Sequence, residues 1–244
     1  MKESSDNNWI SFSDIMTVLM IIFLFISISY MMQVKKEQDK RDEVFENYKK
    51  TRSQIYNDLD STFSKGFEKW NIEIEPDLSI KISDANALFE AQLYTDEVIL
   101  KENFKDFLSQ FAPRFLTIIL NPKYQDKISE IRIEGHTSIS KPENEFNSKY
   151  YQHMVVLSQK RSNKVLEYMM SLSSYINLTD TDKNRLRFFL TSNGLAFGRS
   201  LDIDNNYKFY SNKKINKEKS MRVEFKIVTN SEDVINKWFE NLKK

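Results

Sequence analysis

The chain has no cysteine, only two histidines, and only four glycines and four prolines in 244 residues. Without thiols there can be no disulfide, thiolate nucleophile, iron–sulfur cluster or cysteine-based zinc site, and two histidines are too few for a structural zinc. No metal and no cofactor is expected. Scarce glycine and proline exclude a low-complexity or loop-rich scaffold. An excess of one charge is also missing: 36 Lys and Arg face 35 Asp and Glu, a formal net charge of +1. Binders that hold nucleic acid by bulk electrostatics show a basic excess, so no nucleic-acid partner is expected. The mean hydropathy of −0.55 is that of a soluble protein. That average conceals an uneven distribution.

From Trp9 to Met32 the sequence reads WISFSDIMTVLMIIFLFISISYMM, and residues 15–32 carry no charge. These 24 residues make a helix of roughly 36 Å, enough to cross a hydrocarbon core of about 30 Å. Trp9 and Tyr30 sit near the two ends, where amphipathic aromatics favour the interface. A cleaved signal peptide fits poorly, because MKESSDNN is not basic and no small-residue cleavage site follows. The basic residues after the span (Lys35, Lys36, Lys40, Arg41) outnumber the single Lys2 before it. Taken alone, that count places the C-terminal side in the cytoplasm. Interleaved acids weaken it.

Asp14 lies one to two turns into this run. A carboxylate near the centre of a membrane helix costs about 2.5–3.5 kcal/mol on insertion scales, and less near an end. Two readings follow: an acid reaching back to water in the first turns, or an ion-carrying carboxylate facing a protein partner. Ile10, Asp14, Thr17 and Ile21 share one helical face, with Ser13 adjacent to the acid. One helix with one acid is not a channel and needs partner helices.

The segment WISFSDIMTVLMIIFLF resembles the transmembrane helix of MotB-type stator subunits, and its Trp-Ile-Ser-Phe opening is most similar to the ZorB branch from Zorya anti-phage systems. The resemblance implies that Asp14 is the ion-binding aspartate, with Thr17 and Ser13 as neighbours. It implies a homodimer inside a ring of MotA- or ZorA-like A subunits, five copies in the family. It also implies a cytoplasmic N-terminus and a periplasmic C-terminal domain in the bacterial inner membrane, against the charge count.

Residues 33–43 are a solvated charge run. Phe45, Tyr48, Ile55, Leu59, Phe63 and Phe67 then recur at helical spacing, with Tyr56, Phe63 and Trp70 at seven-residue steps. This predicts an amphipathic helix over 41–70, too irregular for a coiled coil. It reads as a stalk or, by family resemblance, a dimer-forming linker that gates the ion path.

From Asn71 the pattern changes. NIEIEPDLSIKIS predicts a hairpin around a Pro-Asp turn. A helix is expected over 95–119, a strand at EIRIEG, a loop holding Glu143 and Glu145, helices over 150–172 and 180–187, a strand ending at Gly194, and a final strand MRVEFKIV. Alternating strands and helices indicate an α/β sandwich with helices on one sheet face. SEDVINKWFENLKK reads as a terminal amphipathic helix capped by Ser231.

IRIEGHTS (131–138), LSQKRSNKV (157–165) and MRVEF (221–225), in that order, resemble the OmpA-like peptidoglycan-binding domain over roughly residues 72–230. The resemblance implies peptidoglycan contacts at Thr137, Ser138, Leu157, Arg161 and Arg222. A guanidinium can grip a stem-peptide carboxylate with two hydrogen bonds. Two positions depart from the family: Ser138 stands for its aspartate and Met154 for its asparagine, and Glu143 or Glu145 could restore the lost charge. The alternative is a retained fold that dimerises without binding cell wall. His136 has no triad or metal partner in the sequence and is expected to hold a loop rather than catalyse. His153 is expected on a helix face, and Tyr150 and Tyr151 line either the groove or the sheet.

The expected architecture is α+β: a cytoplasmic tail (1–8), one transmembrane helix (9–32), a helical linker or plug (33–70), an OmpA-like α/β sandwich (71–230) and a C-terminal helix (231–244). The expected function is the B subunit of an ion-driven rotary motor, proton-driven and anchored to peptidoglycan, in anti-phage defence by resemblance. A flagellar stator subunit and a passive cell-wall anchor are the alternatives. An enzyme is not expected.

Overall fold

The computed structural model describes residues 4–64, 70, 72–83, 88–90, 97–138 and 147–230, with side chains from residue 12 onward. The chain divides into two compact units, Met1–Tyr48 and Lys49–Lys244.

The first unit is the larger part of helix α1, Ser4–Phe63. Its apolar window has a mean hydropathy of 2.4 and is long enough to cross a membrane. Phe12, Leu19, Phe23, Phe25 and Met31 expose half or more of their surface, so no neighbour among the described residues of this unit explains the apolar run. Two hydroxyls in the run bond inward: Thr17 Oγ1 donates to the Ser13 carbonyl (2.9 Å) and Ser27 Oγ to the Phe23 carbonyl (2.8 Å). This removes the cost of an unpaired donor in hydrocarbon.

The second unit begins inside the expected linker. Ile55, Leu59 and Phe63, one turn apart on α1, are 0–2 % exposed. The Phe63 ring stacks 4.8 Å from Phe111. Tyr124 Oη donates to Asp58 Oδ2 (2.8 Å), and Arg52 Nε donates to the Pro76 carbonyl (2.6 Å). Burial pushes the Tyr124 phenol up to about 12, and the bond to Asp58 adds to the effect. Phe67 lies outside the described residues.

Five strands form one sheet in the order β1-β2-β5-β3-β4. They are β1 (Ile72–Ile74), β2 (Ser79–Ser83), β3 (Ile128–Gly135), β4 (Leu190–Gly194) and β5 (Arg222–Thr229). β1 and β2 form the expected hairpin, with Ile74 opposite Ile80. In its turn Asp77 accepts from the Ser79 backbone and hydroxyl and pairs with Lys226 (2.8 Å). Burial raises the Asp77 carboxyl, but these donors prevail and hold it at about 2. Only β3 and β4 are parallel.

Alternation gives the sheet two different faces. Ile131, Ile133, Val223, Phe225 and Ile227 are 0–2 % exposed and belong to the main core. Helix α2, Glu102–Ile119, covers this face with Phe104, Phe107, Phe111 and Phe115 stacked at 5.2–5.9 Å. Phe111 lies 4.8 Å from Phe225. Each buried ring is worth about 2–3 kcal/mol of apolar transfer, which makes this stack a main source of stability. The helix starts at Glu102 rather than near Thr95. Val98 and Leu100 are buried at alternate positions, and Leu100 forms an isolated bridge with Phe89. A short apolar run satisfies either period, and strand pairing won here.

Helix α3, Ser148–Ser171, and the short α4, Ser173–Ile176, lead to α5, Asp180–Phe189. α3 is capped by the Asn147 side chain on the Tyr150 amide and α5 by Thr179 on Asp182. A one-turn α6, Lys217–Ser220, precedes β5. The expected terminal helix with Ser231, and loop residues Glu143 and Glu145, lie outside the described residues.

Candidate functional site

The C-terminal ends of β3 and β4 are pressed against α3 by two glycines. A Cβ on Gly135 would stand 2.2 Å from the Ser158 carbonyl oxygen, and one on Gly194 2.4 Å from the Gln159 amide nitrogen. Only hydrogen fits in that space. Close approach allows side-chain-to-backbone bonds: Ser158 Oγ accepts from Ala196 N (2.9 Å), Gln159 Oε1 accepts from Gly194 N (2.7 Å), and Gln159 Nε2 donates to the Ser192 carbonyl (3.0 Å). Gln159 thus fills part of the open edge of β4 as a strand would. Ala196 adopts a left-handed φ of 49° between Ser158 and Thr137, whose amide donates to the Ala196 carbonyl (2.8 Å). Strain of this kind persists where surrounding bonds over-determine it.

Thr137 and Ser138 emerge from β3, and Arg161 lies one turn beyond Ser158. Ala196, bonded to both Thr137 and Ser158, links the two segments. Thr137 and Ser138 are buried, and their hydroxyls have no partner among the described residues; nor has Arg161 Nε. The Arg161 guanidinium lies 5.1 Å over the Phe89 ring. Burial pushes its pKa down, and no carboxylate among the described residues opposes the shift. A half-buried cation with no counter-ion among the described residues is stabilised by an incoming carboxylate, and two hydroxyls beside the strand end offer further polar contacts.

Leu157 packs against the main core, and Met154 is half-buried. His153 is exposed on α3, as expected. Tyr150 and Tyr151 clasp Phe197, with ring centroids 5.8 and 5.5 Å away.

Arg222 is placed differently. Its side chain is fully buried, Nε donates to Glu224 Oε2 (3.1 Å), and Nη1 reaches the carbonyls of Arg199 (3.3 Å) and Ser220 (3.4 Å). It belongs to a closed charge cluster on the sheet face opposite α2. Glu134 and Glu224 sit directly opposite each other on β3 and β5, an unfavourable pairing unless balanced. Arg222 balances one, and Arg199 donates to Glu134 Oε2 (3.2 Å). His136 Nε2 lies 3.6 Å from Glu134 and 3.5 Å from Glu224, too far for good hydrogen bonds.

Glu134, His136 and Glu224 hold ligand atoms within 4.8 Å of one another. The donor set nevertheless fits a metal poorly. A guanidinium already occupies one oxygen of each carboxylate, and a dication would be placed beside the buried Arg222. The cluster is balanced by arginine. Sequence reading missed it because acids and bases alternating with apolar residues look like a solvated strand face.

His136 makes the cluster acid-sensitive. Burial holds its pKa well below the ordinary 6.5; Arg222, Arg199 and Lys81 push the same way, and Glu224 opposes. The unfolded chain therefore binds the proton more readily. This contribution to stability is complete above pH 6.5 and is lost as pH falls toward the depressed folded value. Between pH 7.5 and 5 the melting temperature is expected to fall more steeply in wild type than in His136→Gln, by thermal denaturation of the full chain. Parallel curves would exclude His136 as the titrating group.

No protein-family model matches the chain. The Zorya protein ZorB of Escherichia coli is 35 % identical over 237 residues, covering 97 % of this chain and 94 % of that protein. Among solved structures, a putative MotB-like protein from Desulfovibrio vulgaris is 16 % identical, covering 76 % of this chain and 98 % of that one, with a TM-score of 0.46. The cell wall anchor of the T6SS from Pseudomonas aeruginosa is 12 % identical, covering 70 % and 97 %, at 0.42. The periplasmic domain of Helicobacter pylori MotB is 18 % identical, covering 67 % and 84 %, at 0.36. The fold itself rests on the strand order and registers given above. With identity at this level along nearly the whole length of both proteins, the chain belongs to the ZorB family of Zorya proteins.

Proposed function

We propose that the chain is the B subunit of an ion-driven rotary motor of the bacterial inner membrane, acting in anti-phage defence. In this reading two copies pair inside a ring of five MotA- or ZorA-like A subunits. The N-terminus is cytoplasmic and the second unit is periplasmic, where it binds peptidoglycan. The protein is an anchor and ion-carrying subunit, not an enzyme.

The observation that carries the reading is Asp14, the one acid in an apolar run uncovered by its own unit, in a chain of the ZorB family. Partner helices would shield the acid and supply its water path. The Thr17 hydroxyl donates to Ser13 O and so faces incoming groups as an acceptor, which suits a protonated carboxyl or a hydrated cation. One proton crossing 100 mV supplies about 2.3 kcal/mol. That energy drives rotation only if the ring states differ in affinity for the protonated and ionised forms.

The assembly is tested by co-expressing the chain with a polytopic A subunit, purifying from membranes, and counting subunits by native mass spectrometry. A B subunit that never co-purifies overturns the motor reading. For the anchor, Arg161 would take the stem-peptide carboxylate, Thr137 and Ser138 would line its approach, Leu157 would position the site from the core, and Arg222 would brace it from the opposite sheet face through Glu224. Arg161→Ala is expected to weaken binding to purified sacculi by a factor of tens, from loss of about 2 kcal/mol of charge-assisted hydrogen bonding. Arg161→Lys should recover only part, because an ammonium lacks the planar fork. Unchanged co-sedimentation of Arg161→Ala would remove Arg161 from the site.

A further inference from the structure

Between β4 and β5 the chain makes an excursion, residues 195–221, whose tip is built to be rigid yet displays bare aromatic rings. Asp202 is buried, and its Oδ1 accepts from the amides of Asp204 (2.8 Å) and Asn206 (2.9 Å). Ser220 Oγ accepts from Leu201 N (2.9 Å) and donates to the Asn216 carbonyl (2.6 Å). Ile203 N donates to the Lys214 carbonyl (3.0 Å) and Lys208 N to the Ser200 carbonyl (2.8 Å). On this frame Phe209 and Tyr210 are each 82 % exposed and Ile203 60 %. The two rings stand edge to face, 4.9 Å apart at 86°, so they present two perpendicular faces to solvent.

An exposed apolar cluster on an ordered loop marks an interaction surface. Its footprint, roughly 400 Å² from two aromatic rings and one isoleucine, is below the ~800 Å² per partner of a stable protein interface. A second copy of the chain is therefore a poor fit. A lipid surface is disfavoured too. Asp204, Asn205, Asn206 and Asn212 are exposed within the same tip and would have to lose water on insertion. Charge adds only a modest positive bias, since of the five lysines in residues 201–220 Lys213 already pairs with Asp204 and Lys219 with Glu73. Ring faces and primary amides together suit a polymer of N-acetylated amino sugars. Sugar C–H groups pack on the rings, and amides bond the acetamido groups.

We propose that the Phe209–Tyr210 tip is a glycan subsite, separate in chemistry from the peptide site at Arg161. The proposal rests on the cell-wall anchor reading. It is tested on the full chain in phosphatidylcholine nanodiscs with three ligands: intact sacculi, glycan strands stripped of stem peptides by an amidase, and the free stem tetrapeptide. Phe209→Ala/Tyr210→Ala should weaken binding to stripped strands on the order of tenfold and leave the tetrapeptide unaffected. Arg161→Ala should do the reverse. An unchanged melting temperature would show that the double variant is folded. Wild-type binding to sacculi and tetrapeptide without binding to stripped strands overturns the glycan subsite alone. So does a double variant that binds strands normally, or one that loses only capture by phosphatidylglycerol vesicles. Failure of the wild type to bind sacculi overturns the anchor reading and this one with it.

Discussion

Asp14→Asn is expected to reduce phage protection to the level of an empty vector while the protein is still made, inserted and assembled with its A subunit. The amide matches the carboxyl in shape and cannot take up and release a proton near neutral pH. Insertion should not suffer, because removing a charge from the apolar run relieves part of the cost of placing it there. Intrahelical bonds such as Thr17 to Ser13 use backbone acceptors and do not depend on the acid. The loss should thus be one of activity with quantity preserved, read by plaque assay beside membrane immunoblotting and co-purification. Full protection by the variant would sink the motor reading and leave a passive anchor.

Gly135→Ala is expected to lower the stability of the second unit by about 3 kcal/mol or more, a large share of the 5–15 kcal/mol typical of a domain. The added methyl carbon would meet the Ser158 carbonyl oxygen at 2.2 Å and its carbon at 3.0 Å. Both are backbone, so no rotamer change relieves the clash and α3 must move away from β3. Moving α3 would also pull Ser158 from Ala196 and displace Arg161, so sacculus binding should fall with stability. Gly198→Ala is the matched control, because its nearest neighbour is a carbonyl oxygen at 3.7 Å, an ordinary contact. Urea denaturation of both variants in the full chain decides the point. A Gly135→Ala protein as stable as wild type would mean that the β3–α3 approach is looser than described.

Much of the fold was legible because its signals are local. The hairpin at 72–83, strands β3 and β5, and helices α3 and α5 follow from apolar spacing of two or of 3.6 along short stretches. The two lapses share a cause. Residues 97–101 hold apolar residues in a row, and only pairing with Phe89 chose extended backbone over helix. Ile55, Leu59 and Phe63 read as a stalk face, and only the presence of α2 and its phenylalanines turned them into core.

The candidate site divides the same way. Asp14 could be singled out from sequence, since an acid in an uncharged stretch is costly wherever that stretch lies. Arg161 and Arg222 looked alike on paper, as arginines at matching motif positions. Their environments separate them: Arg222 is neutralised by Glu224, whereas Arg161 is half-buried with no carboxylate partner among the described residues. The opposed pair Glu134 and Glu224 and the acid-sensitive His136 were hidden, because strand alternation gives a side chain's face but not what covers that face.

By itself, then, the sequence determined where the chain is apolar, where its helices and strands run, and that Asp14 is out of place. Tertiary structure decided which charges are buried, which arginine is neutralised by a neighbouring acid, and which aromatics remain in water. The physical reason is that periodicity is set by neighbours a few residues apart, while desolvation and charge pairing depend on groups such as Glu134 and Arg199, distant in the chain, that only folding brings within 3.2 Å.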